Sequence, residues 1–526
     1  MTSPQLAPAT EQPIVVHGPL TGDPDRVRVH EQLVATSSVA DAVSVTWTGV
    51  ATRTAPAVTT TSSERVLSLD VFRAVLLLAM NFSFTIPDWG PFPAWMYHAQ
   101  VPPSPTGAYV PIAGLTWQDL LFPGFVFAMA AAIPIAAGGR IARGVSYPSI
   151  IWSSLQRGFL LLVVALMIGQ VNPYWTHDDT RRGNVVALLG FAACFLFLAQ
   201  PPRTWPETRT RWLRRAAWAG VALVLFAVPL FYGQTFTPER RDDILSALAF
   251  TSVAGTLAWL ATRHSIRARI GIAALIIAGR TLAPHVDAIA QVWYATPASW
   301  AYEAWYLDLF IIVLAGTVAG ELLARWMSVR TTEQAVAWSR ARLNVLVAAG
   351  ITVTPVLLVG LYRRQYPLAT TIIVCALAFA MLVAARGATS ERAQVIARVF
   401  QWAAACLILG MLVEPLEGGI KKDPQTLSYL LLSAGVSLST LGSLLIVADA
   451  RRGTSRVWTA LAQIGQNSLF AYVLFFLCIE HVLWLTGIGE RFSATWQMAT
   501  VRSFVLTAIV GAIVLLATRK RVVWRT

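Results

Sequence analysis

Residues 95–134 read WMYHAQVPPSPTGAYVPIAGLTWQDLLFPGFVFAMAAAIP, and the fold is decided here. From Leu120 the stretch becomes an apolar run that continues to about residue 137, with one acid, Asp119, just ahead of it. About twenty such residues cross the roughly 30 Å hydrocarbon layer as a helix. The first half is a polar approach to that span. It carries His98 and a run of prolines, Pro102, Pro103, Pro105 and Pro111, that restrain a loop at low entropic cost.

Apolar runs of the same kind recur from Val66 to the end, and the 526-residue chain is 56% hydrophobic and only 13% charged. This composition excludes a set of soluble domains. It predicts an all-α, polytopic integral membrane helical bundle of about 11–14 transmembrane helices. The expected spans are 66–86, 116–137, 149–171, 184–200, 214–232, 243–262, 268–283, 304–326, 343–362, 367–385, 395–413, 427–448, 459–485 and 500–518. The run 268–283 is short and contains Arg280, and 343–385 reads either as two spans or as a re-entrant element.

Residues 1–63 lack both a basic amino end and a continuous apolar core. They read as a disordered cytoplasmic tail rather than a signal peptide, ahead of a transmembrane domain at 64–526. The net charge of +14 would suit nucleic acid, but the basic residues sit in short loops between spans, as in Arg209, Arg211, Arg214 and Arg215. Loops on the amino-terminal side hold the excess, which predicts a cytoplasmic amino terminus, a multi-pass protein of the inner cell membrane and no nucleic-acid partner. The four cysteines, Cys194, Cys375, Cys406 and Cys478, lie inside apolar runs without paired spacing. They suggest neither disulfides nor a metal site.

Ionisable groups in a membrane cost free energy unless paired or hydrated, so each needs a reason. Asp70 and Arg73 fall three residues apart in SLDVFRA, on one helix face. They either neutralise one another or hold a phosphate of a ligand arriving from the cytoplasm. Asn81, further along the same span, either binds a ligand or hydrogen-bonds across the bundle. His98 is placed as a proton acceptor at the outer mouth, with Tyr97 beside it and Asp119 either orienting the imidazole or capping its own helix. Glu480 and His481 form a second acid/base candidate on the same side. Asn467, in QIGQNSLFAY, contacts a ligand or a neighbouring helix. The loop EPLEGGIKKDPQTLSY, 414–429, offers Lys421 and Lys422 to a polar substrate or simply to water.

Taken together, SLDVFRA, a span, a histidine in WMYHAQ and then GLTWQDLLFPGFVFAMAAAIP resemble the transmembrane acyltransferases related to heparan-α-glucosaminide N-acetyltransferase, especially bacterial members with a WMYHAQ-type loop. YLDLFIIVLAGTVAGELL, EGGIKKDPQTLSYLLLSAG and IGQNSLFAYV extend the likeness in patches to the end. The resemblance implies transfer of an acetyl group from cytoplasmic acetyl-CoA to an amino sugar or other glycan on the far side. It makes His98 and Asp119 the catalytic positions, and it places Asp70 and Arg73 at the family's LD-x-F-R pair. Asn467 is assigned with them to the donor, and Asn81, Tyr97, Asp308, Lys421, Lys422 and His481 to the acceptor. In the family pattern the span asparagine falls one turn later than Asn81, where this chain has Phe84. No metal is implied, and the expected partners are the lipid bilayer, the acceptor and, as an assembly to test, a second copy in a homodimer. The rival reading is a secondary transporter or flippase for a polar or lipid-linked sugar, in which Asp308, Glu321, Arg157 and Arg280 would be coupling or substrate residues.

Overall fold

The computed structural model describes residues 65–86, 92–102, 109–201, 204–296, 298–329, 338–450, 455–488, 492 and 494–524. The chain divides into two units, Met1–Ala57 and Val58–Thr526, and every described residue belongs to the second. The tail expected at 1–63 therefore lies outside the described residues, as do Pro103 and Pro105.

Thirteen helices among the described residues are long and apolar enough to cross a membrane. They are α1 Leu67–Phe84, α2 Gln118–Ala142, α3 Tyr147–Val171, α4 Arg181–Leu198, α5 Glu207–Phe231 and α6 Asp243–Thr262. After α7, Ile266–Leu282, come α8 Ala304–Val329, α9 Arg340–Arg364, α10 Pro367–Ala384, α11 Glu391–Val413 and α12 Leu427–Ala450. The short helix α13, Arg456–Gly465, leads into the last two spans, α14 Ser468–Thr486 and α15 Trp496–Arg519. The chain is thus a polytopic helical bundle. No named strand occurs among the described residues, which show only isolated bridges.

Two expected spans prove to be broken. Helix α7 turns by 117° into a short helix, Asp287–Trp293, and counts as a fourteenth span only if the pair is taken as one. The run 459–485 splits between α13 and α14, because Asn467 leaves helical geometry at φ −125° and ψ 41°. The region 343–385, by contrast, forms two full spans joined by a tight turn in which Arg363 and Arg364 have positive φ.

Helix α2 packs against α1, α3, α6, α8 and α12, and so stands at the centre of the bundle. Its contact with α8 is made close by glycines at a four-residue spacing, Gly316 and Gly320. A Cβ at Gly316 would meet the Phe127 carbonyl at 2.7 Å, and one at Gly320 would run into the Ala131 carbonyl. Small residues at this interval let helix backbones approach in lipid, where association rests on packing rather than water exclusion. This packing fixes the axis of the helix that carries Asp119.

Candidate active site

The loop between α1 and α2 returns to the start of α2. In its first half Ala94–Met96 form a tight turn that delivers Tyr97 and His98. His98 Nδ1 lies 2.7 Å from Asp119 Oδ1, across a separation of 21 residues. The other carboxylate oxygen accepts from the Thr116 amide at 2.8 Å, the Thr116 hydroxyl at 3.0 Å and the Ala99 amide at 3.3 Å. Both oxygens are therefore engaged by donors, and the carboxylate sits fully buried with its rotation fixed. The Asp119 backbone carbonyl is held as well, by the Tyr429 hydroxyl of α12 at 2.7 Å.

The side chain of His98 is 36% exposed, whereas that of Asp119 is 0% exposed. An acceptor-only carboxylate at Nδ1 makes that nitrogen the proton-bearing one and leaves Nε2 with its lone pair. Nε2 has no hydrogen-bond partner among the described residues. A buried carboxylate orienting a half-exposed imidazole is the arrangement a general base or nucleophile requires.

Gln100 and Tyr429 were not apparent as site residues in the sequence. The buried Gln100 side chain donates to the Ile112 carbonyl at 3.0 Å and the Gly114 carbonyl at 3.3 Å, and accepts from the Lys422 amide at 3.2 Å. It ties the His98 loop to the 414–429 connection. Gly114 itself donates to the Ile420 carbonyl at 2.8 Å. The signal for Gln100 was its place two residues after His98 in an otherwise apolar and proline-rich loop.

The remaining polar positions are mostly occupied. Lys422 Nζ meets Asp423 at 3.0 Å, and Lys421 is fixed through its amide to Thr426 at 3.0 Å. Glu417 accepts from the Leu427 and Ser428 amides at 2.7 and 2.8 Å, satisfying donors at the start of α12 that the helix itself leaves open. Glu414 is clasped by Arg364 through two contacts at 2.7 and 3.2 Å. Asp308 pairs with Arg280 at 2.9 Å and Glu321 with Arg269 at 2.7 Å. Arg157 is exposed on α3 and makes no ion pair among the described residues. Tyr97 is buried in a small cluster with Ile86, Phe92, Met96 and Ala499.

His481 is 3% exposed and uses both ring nitrogens, Nδ1 with Asn184 Oδ1 at 2.8 Å and Nε2 with the Phe476 carbonyl at 3.0 Å. At the far end of the bundle Arg73 pairs with Asp70 at 3.3 Å and donates to the Ala128 carbonyl at 3.1 Å. Asp70 also accepts from Gln466 at 3.2 Å. Asn467 donates to the Val522 carbonyl at 2.9 Å and accepts from the Trp524 amide at 3.1 Å. Both amide atoms of Asn467 are thus engaged by the segment after α15, whereas Asn81 is 1% exposed and neither of its amide atoms has a partner among the described residues. Among the described residues no group of three His, Cys, Asp or Glu side chains could hold a metal ion.

Fold and site define a class, a multi-pass helical membrane protein with an oriented histidine at one mouth of its bundle. Residues 65–323, a segment that includes both His98 and Asp119, match the family described as Domain of unknown function (DUF5009). The chain is also similar to heparan-alpha-glucosaminide N-acetyltransferase of Homo sapiens, 29% identical over 187 residues. That similarity takes in 33% of this chain and spans only 26% of the human protein.

Proposed function

We propose that the protein is a membrane-embedded acyltransferase that moves an acetyl group from cytoplasmic acetyl-CoA to an amino sugar or glycan on the other side of the inner cell membrane. The observation that carries the proposal is the 2.7 Å contact between the half-exposed His98 and the buried Asp119. The name of the human relative supports N-acetyl transfer as the chemistry.

With its Nδ1 proton held by Asp119, His98 presents Nε2 to the acceptor. The acceptor amine attacks the thioester carbonyl carbon while Nε2 takes an amine proton, the carbon–sulfur bond breaks, and the imidazolium returns that proton to the departing thiolate. Alternatively Nε2 itself attacks the thioester carbon and the carbon–sulfur bond breaks to release the thiolate; the amine then attacks the acetyl-imidazole, the bond to Nε2 breaks, and the amine proton ends on the thiolate. Asp119 stabilises the imidazolium in either course. Arg73 stands at the opposite end of α1 from the His98 loop, on the side proposed to face the cytoplasm, where a guanidinium suits the phosphates of the donor.

The test is release of CoA thiol by purified protein given acetyl-CoA and glucosamine. Wild type is expected to release thiol and His98→Ala to lose that activity while remaining folded and inserted. Full activity in His98→Ala would overturn the assignment, and sugar transport without thiol release would favour a transporter.

A further inference from the structure

Beside the His98 loop lies a cavity of about 990 Å³ between α1 and α15. Its walls include Leu78, Phe82, Trp95, Met96, Trp117 and Phe504. Among the described residues no ionisable side chain lines it, and its hydroxyl-bearing residues are Thr500 and Thr507 on α15. Neither a free sugar nor a nucleotide has polar partners enough in such a space to replace the water it would give up. A hydrocarbon chain loses nothing there.

Three observations connect this cavity to the catalytic pair and to the bilayer. Met96 is two residues from His98 and Trp117 two from Asp119, so the wall passes within roughly 7 Å, along the backbone, of each. Along α15 the lining runs from Trp496 to Thr507, a rise of about 16 Å, or half of the hydrocarbon layer. Trp95, Trp496 and Phe504 are at least half exposed, so the cavity is open at the surface of the bundle, and α15, which lines it, is long and apolar enough to cross a membrane.

We infer that this groove holds the hydrocarbon tail of a membrane-anchored acceptor, an amino sugar carried on a lipid, whose amine is thereby presented to His98. The inference rests on the acyltransferase reading and names its substrate class. Fixing the tail in one leaflet converts a dilute encounter into a positioned one, which is the kind of gain that holding reactants in place supplies.

The experiment uses the full chain in lipid nanodiscs, acetyl-CoA, and two acceptors, free glucosamine and glucosamine on a long-chain alkyl phosphate. Wild type is expected to turn over the anchored acceptor with kcat/KM at least tenfold above the free sugar. Ala79→Trp on α1 and Thr500→Trp on α15 each place an indole in the groove from opposite walls. Each is expected to lower kcat/KM for the anchored acceptor tenfold or more, with the free sugar unchanged within twofold. A photoreactive alkyl phosphate is expected to label the peptides carrying Trp95 or Phe504, and both substitutions are expected to suppress that labelling. Equal use of the two acceptors by wild type, unaltered by either tryptophan, would show the groove to be ordinary lipid contact while thiol release still upheld the acyltransferase. Absence of thiol release with both acceptors would overturn the enzyme reading and this inference with it.

Discussion

Two histidines sit at the same end of this bundle and differ in what surrounds them. His98 gives one nitrogen to a buried carboxylate and leaves the other without a partner among the described residues, on a side chain that is 36% exposed. His481 is 3% exposed and spends one nitrogen on Asn184 and the other on a backbone carbonyl. In sequence both stand beside a span in aromatic surroundings, and both qualify as acid/base groups. What separates them is the count of unsatisfied ring nitrogens, a property of three dimensions. A residue that satisfies its own helix ends and neighbours has nothing left to give a substrate.

This contrast can be broken most forcefully at the first histidine. His98→Ala should reduce acyl transfer by about 10²–10⁴-fold, the usual contribution of a positioned acid/base group, with no loss of folded protein by size-exclusion chromatography. Asp119→Asn keeps the shape but offers an amide where a carboxylate fixed the tautomer. Its expected cost is about 10²-fold in kcat, read from thiol release, with little change in KM for acetyl-CoA. His481→Ala should act in the opposite manner, lowering stability by about 1–3 kcal/mol through the partners left unpaired while activity per folded molecule stays near wild type. A thermal-shift assay alongside thiol release separates the two, and a His481 variant that folds normally but is inactive would reverse the contrast.

A smaller effect is expected at the loop before α4, which leads to Asn184. There the Thr180 hydroxyl and Arg182 hold the Asp178 carboxyl below the usual aspartate range. A depressed acid stabilises the fold once ionised, so this contribution is present above the ordinary aspartate pKa and is lost as pH falls through the lowered value. Asp178→Asn should therefore narrow the difference in melting temperature between neutral and acid pH, and an unchanged pH profile would remove the ionised carboxylate from the account.

Much of the fold could be read in advance because a bilayer demands it. Every span long enough to cross announces itself by hydropathy, and the positions expected for α1, α6 and α10 agree with the helices to within two residues at each end. The breaks were hidden for the same reason. In IGQNSLFAYV the polar triplet Gln466, Asn467 and Ser468 is short and apolar residues resume beyond it, so a window of span length reads through the point where the helix stops. The cue lay in Gly465, which packs so close to α1 that a Cβ there would strike the Asp70 carbonyl. At the site, the motif named His98 and Asp119, whereas Gln100 and Tyr429 work through contacts to residues more than 300 positions away. The place of Gln100 beside His98 is a local hint, but no local pattern carries either distant contact. In the charged 414–429 loop composition could not say which charges the fold itself uses, and Glu414 and Glu417 serve the structure's own arginine and helix end.

The break at Asn467 bears on how the protein is made. Its amide is satisfied by Val522 and Trp524, 55 and 57 residues further along and beyond the whole of α15. During insertion α13 and α14 must therefore wait, with an unpaired amide and an uncovered Phe470, until the last span has entered the bilayer and the chain has doubled back. The junction beside Asp70 is closed late in biogenesis, so any agent that delays α15 should leave the amino-terminal spans assembled and this corner open to the quality-control machinery of the membrane.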